Sequence, residues 1–173
     1  MKNTSFILND AKGKEVELAV VRHLKELLPD CTVLNTPQDN DIDRFLYSLI
    51  DIVVVRDNKV VLGIECKRGL EKYQACKNLC GWDGDYNTPL NRSSLHKYKE
   101  ARFPVWIINI NQFCQKALVA PIKVVLSSPN DAGRNVKRSG EVIYNVDSSS
   151  WNIYDGDFTL SGILQDIINK EGL

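Results

Sequence analysis

IDIVVVRDNKVVLGIECK, residues 50–67, is the stretch on which the fold turns. Aliphatic and β-branched residues fill positions 52–55 without interruption, and Val60, Val61, Leu62 and Ile64 follow after Asp57-Asn58-Lys59. Apolar runs of that length on either side of turn-forming residues predict two short strands, buried on both faces and joined as a hairpin. Asp51 opens the first strand, and Glu65 and Lys67 close the second. Side chains alternate along a strand, so Glu65 and Lys67 share one face and Cys66 takes the other. Charge set against buried apolar strand is costly unless it has partners or a task. The hairpin is therefore the candidate active site.

Upstream, residues 11–28 carry Leu18, Val21, Leu24 and Leu28 at three- and four-residue spacing, the signature of an amphipathic helix, with Asp10 as its N-cap. Glu17 lies beside that apolar stripe. Pro29-Asp30 ends the helix, residues 31–34 form a short strand, and NTPQDNDIDR (35–44) is a polar loop. Downstream, residues 68–92 mix glycines, a proline, basic and aromatic residues without a long period, and read as an insertion or lid with one short helix at 70–79. A helix follows at 95–102, capped by Ser93 or Ser94 and lined by Leu95, Tyr98 and Ala101; VWIINI (105–110) is an apolar strand, and 117–126 another, broken at Pro121. Residues 127–140 form a Gly/Ser/Asn-rich loop, 141–146 a strand and 158–170 a closing amphipathic helix. The order predicts an α/β fold: a mixed sheet flanked by helices.

The composition is that of an ordinary globular domain, 43% hydrophobic and 25% charged, and 173 residues suffice for one domain with its own core. Lysine and arginine balance aspartate and glutamate at 22 each, so affinity for nucleic acid would have to come from local basic patches. No run approaches the roughly 20 apolar residues of a membrane span, and the first residues lack a signal-peptide core. A cytoplasmic protein with no membrane partner is expected. Five cysteines without a secretory signal argue for free thiols. Cys66, Cys76, Cys80 and His96 do not have the spacing of a zinc or iron–sulfur site.

Two carboxylates on adjacent strands suit a hard divalent cation such as Mg²⁺, with a lysine nearby to act on a water or on charge building at phosphorus. Asp51 followed by Glu65-Cys66-Lys67 on a hairpin resembles the signature of the PD-(D/E)xK, or restriction-endonuclease-like, nucleases. Gly13, Glu17 and Leu24 stand at the spacing of that family's archaeal Holliday-junction-resolvase branch. Ile50 occupies the place of the family's proline. The resemblance spans about residues 11–110, interrupted by the insertion at 68–92, and leaves 111–173 as a C-terminal extension rich in strands. It implies a restriction-endonuclease-like αβββαβ core and a Mg²⁺- or Mn²⁺-dependent DNA endonuclease. By the same resemblance Asp51, Glu65, the Cys66 carbonyl and Glu17 would serve the metal, and Lys67 the water. The family's second helix often adds a polar residue, for which His96 or Lys97 is the candidate.

Arg68, Lys72, Lys97, Arg134, Lys137 and Arg138 are candidate phosphate contacts, and Tyr73, Trp82, Tyr86 and Tyr98 could stack on bases. Taken singly, Arg68, Lys72 and Lys97 read more readily as solvated surface, and the loop with Arg134, Lys137 and Arg138 reads equally as a flexible surface hairpin. A different class of function uses the same fold as a non-catalytic nucleic-acid-binding or assembly module. Cutting two strands would suit a symmetric homodimer.

Overall fold

The computed structural model of the protein describes residues 13–36, 50–69, 88–91, 98–99, 101–111, 115–127, 131–134, 142–146 and 150–173. The expected hairpin is there: β2 (Ile52–Arg56) and β3 (Lys59–Gly69) pair antiparallel, with Ile52 opposite Ile64. Asp57 and Asn58 both adopt left-handed backbone, φ 51° and 58°, as a two-residue type I′ turn requires. Lys59 already belongs to the strand, so the turn is one residue shorter than expected. β1 (Thr32–Asn35) lies along the other edge of β2.

β5 (Val105–Asn111) runs parallel to β3, and β6 (Lys116–Pro121) and β9 (Asn152–Asp155) extend the sheet antiparallel, giving the order β1-β2-β3-β5-β6-β9. This is a six-stranded mixed sheet flanked by helices, the α/β class expected. Gly63 lets the chain entering β5 come close: its N–H donates to the Pro104 carbonyl at 2.8 Å, and a β-carbon there would lie 3.0 Å from the Phe103 ring. Any larger side chain at position 63 would push that segment away from β3.

One face of the sheet is covered by α1 (Gly13–Leu27). Val16, Ala19, Val20 and Leu24 form its buried line, against Ile52, Val54, Leu62, Ile64, Ile108 and Val119. Leu18, expected in that line, is 45% exposed. Val16 and Val20 stand one turn apart, and Leu18, two residues from each, falls on the opposite side of a helix of 3.6 residues per turn. The C-terminal helix (Leu160–Glu171) packs on the same face through Leu160, Ile163, Leu164, Ile167 and Ile168. Its ends are satisfied: the Thr159 hydroxyl accepts from the Gly162 N–H at 3.0 Å, and Gly172 closes it in left-handed conformation. Trp106 Nε1 donates to Glu171 at 2.7 Å, and Lys170 sits 5.5 Å from that indole ring.

The other face buries Ile50, Val53, Tyr98, Val105, Ile107, Leu118, Ala120 and Trp151. They pack with α2 (Ile122–Ser127), so that the C-terminal helix is α3. The expected strand at 117–126 thus ends at Pro121 and continues as a helical turn. Ile122 and Val125, three apart, reach the core while Val124 is 42% exposed, a packing that overrides the low helix propensity of β-branched residues.

A second sheet departs further from expectation. β4 (Thr88–Asn91), β8 (Val142–Val146) and β7 (Asp131–Arg134) form an antiparallel sheet in the order β4-β8-β7. The end of the supposed lid is therefore a strand, and the loop at 127–140 contains one arm of a hairpin. β9 is a further strand beyond those the sequence pattern predicts. The expected N-cap Asp10, the 35–44 loop apart from Asn35 and Thr36, the helix at 70–79 and Cys76, Cys80, His96 and Cys114 lie outside the described residues, as does the 95–102 helix apart from Tyr98, Lys99, Ala101 and Arg102. Among the described residues no helix is long and apolar enough to cross a membrane.

Candidate active site

The site forms where β3 outruns β2. Asp51 precedes the first β2 residue, and its backbone is pinned from β1: the Thr36 N–H donates to the Asp51 carbonyl at 3.0 Å, and the Thr36 hydroxyl reaches the Ile50 carbonyl. Cys66 lies beyond the last β2–β3 partner pair, and its N–H donates to Asp51 Oδ2 at 2.8 Å. The aspartate side chain thus continues the ladder that the backbone of β2 has ended.

Glu65 is 2% exposed. One carboxylate oxygen pairs with Lys67 Nζ, and the Tyr98 hydroxyl hydrogen-bonds the same carboxylate. Among the described residues Glu65 Oε2 has no hydrogen-bond partner. Burial and the charge of Glu65 hold the Tyr98 phenol well above its ordinary range, so it remains a donor. Lys67 has 38% of its side chain exposed. Burial alone would lower its pKa, but the charge and hydrogen bond of Glu65 carry it upward, so the ammonium persists.

The Asp51 carboxyl is strongly perturbed. Burial first, then repulsion from Glu65, raises its pKa to about 7; the Cys66 N–H and Lys67 oppose the rise, and Glu17 adds to it. Glu17 is half-buried on α1 and also raises the Cys66 thiol, which burial pushes upward and leaves un-ionised. Because α1 packs on the Cys66 face of the sheet, Glu17 comes toward Asp51 from the opposite side to Glu65. The hairpin's two carboxylates and lysine are brought together as their alternation dictates, with Glu17 within electrostatic reach. Among the described residues no three His, Cys, Asp or Glu side chains stand close enough to hold a metal ion as they are.

Two residues of this corner were not assigned to it in the sequence reading. Tyr98, expected from its sequence context to stack on bases, is 4% exposed and engaged with Glu65. His96 and Lys97, the candidates for a polar residue from the second helix, lie outside the described residues; Tyr98 is the described residue from that segment that meets Glu65. Asn109 is the other: it is 5% exposed, on β5, in register with Lys67. A polar residue interrupting the apolar run VWIINI was the available signal. Of the candidate phosphate contacts, Lys72, Lys97, Lys137 and Arg138 lie outside the described residues. Arg68 ends up on β3 and Arg134 on β7, without described side chains.

No family model matches the chain, and no curated protein matches it. A solved structure, described as a nuclease from a fusselovirus, is similar over 81% of this chain and 80% of that one, with a TM-score of 0.46 and 15% sequence identity. At that distance the likeness assigns neither an activity nor a role to any residue.

Proposed function

We propose that the protein is a divalent-metal-dependent DNA endonuclease of the PD-(D/E)xK type. The observation that carries this is the corner itself. Burial of Asp51 first, and repulsion from the buried carboxylate of Glu65 second, raise the Asp51 pKa to about 7, and a buried oxygen of Glu65 has no partner among the described residues. One lysine does not neutralise that excess. Carboxylate and carbonyl oxygens are the donors Mg²⁺ or Mn²⁺ prefers, and Mg²⁺ binds through one or two carboxylates while keeping waters.

In this reading Asp51, Glu65 and the main-chain carbonyl of Cys66 hold the cation, with Glu17 adding negative charge from the α1 side. When bound, the metal supplies polarisation of the phosphodiester and a more acidic water. Lys67 donates to that water or to the phosphate as negative charge builds on phosphorus. Tyr98 fixes the carboxylate of Glu65. Hydrolysis forms a bond from the water oxygen to phosphorus and breaks the bond to the leaving oxygen, which takes up one proton while the water's other proton passes to solvent. Arg68, Lys72, Lys97, Arg134, Lys137 and Arg138 contact DNA phosphates, and a homodimer presents two such corners when both strands are cut. The setting is cytoplasmic.

The test is to incubate purified protein with plasmid, linear, single-stranded and branched DNA, with and without Mg²⁺ or Mn²⁺, beside Glu65→Ala and Lys67→Ala. Metal-dependent cleavage abolished by both substitutions is the expected result. Cleavage that survives both would remove the site, and binding without cleavage on every substrate would make the fold a nucleic-acid-binding module.

A further inference from the structure

We infer that Asn109 is a positioning residue for the attacking water, an inference that rests on the phosphodiesterase reading above. Asn109 lies on β5 in register with Lys67 across the parallel β3–β5 pair, as Ile107 does with Glu65. Val105 and Ile107 pack in the cluster that contains Tyr98, whereas Trp106, Ile108 and Ile110 pack under α1 and α3. Alternation therefore puts the Asn109 side chain on the face of Glu65, Lys67 and Tyr98. It is 5% exposed, and among the described residues its Oδ1 has no hydrogen-bond partner.

An unpartnered buried acceptor costs stability, whereas a leucine of nearly the same shape would not. The sign of the group says what it awaits. An amide oxygen accepts and cannot bond a phosphate oxygen, which has no hydrogen to give. Lys67 directs its ammonium to Glu65. Among the described residues no donor reaches Asn109 Oδ1, and in a hydrolytic site water supplies one. A water between the two side chains accepts from Lys67 Nζ and donates to Asn109 Oδ1; once its other proton has left, the oxygen keeps a lone pair to aim at phosphorus. Lys67 alone fixes that water's distance; Asn109 fixes its rotation.

The experiment compares Asn109→Leu with the wild type in steady-state cleavage of whichever DNA the wild type cuts, at saturating Mg²⁺, with thermal midpoints measured alongside. The expected outcome is a fall in kcat of roughly ten- to a hundredfold with KM for DNA unchanged, as for a misplaced reactant, at a thermal midpoint equal to or above the wild type's. A variant with wild-type kcat would overturn the inference and leave the proposed function intact. A lowered thermal midpoint would do the same, making Asn109 a structural residue. Wild-type protein that cuts no DNA would overturn both.

Discussion

The two faces of β3 are made from alternate residues of one strand and have opposite characters. Leu62, Ile64 and Cys66 look toward α1 and α3, where the cluster consists of aliphatic side chains with one indole. Gly63, Glu65 and Lys67 look the other way, where an apolar floor gives way at one end to Tyr98, Asn109 and the carboxylates. The closed face contributes stability. The polar end spends some of it, because charges and an amide are kept out of water with incomplete pairing. A one-residue slip of β3 would exchange the two faces, so register and site are fixed by the same contacts.

The largest effect that separates the faces is expected from Glu65→Gln. Loss of a metal-binding carboxylate at nearly constant shape should lower kcat/KM about a thousandfold, roughly 4 kcal/mol, while urea unfolding of the metal-free protein shows no loss of stability. The mirror case is Ile64→Ala, one residue away on the closed face and fully buried. It should cost about 2–5 kcal/mol in urea unfolding, with Mg²⁺ affinity measured by calorimetry unchanged in the folded fraction. If the two variants exchanged phenotypes, the division between the faces would fail.

A pH series sharpens the comparison. Asp51 has its folded pKa raised from 3.8 to about 7, so between those values the native state binds more protons than the unfolded chain. Stability of the metal-free protein should therefore fall as pH rises from about 4 to 7, and Asp51→Asn should flatten that dependence in thermal melts. Added Mg²⁺ should restore stability at the upper end of the window; equal curves for wild type and variant would remove Asp51 from the cause. The smallest effect is expected from Leu18→Gln, on the exposed side of α1. Its unfolding free energy should stay within about 0.5 kcal/mol of wild type.

What could be read from the sequence was whatever local pattern decides. The hairpin, β5 and α3 announce themselves by uninterrupted or periodic apolar residues, and the alternation of Glu65, Cys66 and Lys67 survives intact in the structure. Leu18 was misplaced because the leucines of α1 outline a stripe that Val16 and Val20 actually define. The helical turn after Pro121 could not be seen because three of its six residues, Ile122, Val124 and Val125, are β-branched and only packing against β5 and β6 makes it a helix. β4, with the sequence TPLN, has no strand signal of its own and exists through β8. Tyr98 and Asn109 join the site through contacts distant in sequence, which no spacing rule reports.

The small sheet also bears on the order in which the molecule is assembled. Thr88 pairs with Val146, and Asn91 with Ile143, so the segment that follows the active-site strand is held by backbone from far along the chain. Closing so long a loop is entropically slow. The hairpin of β2 and β3 can form early, whereas β4 must wait for β8 to exist. Removing residues 131–146 would leave β4 as a bare strand edge open to pairing with other chains. Amide hydrogens of 88–91 should accordingly exchange in step with those of 142–146, and later sequence thereby governs how tightly β4 is held.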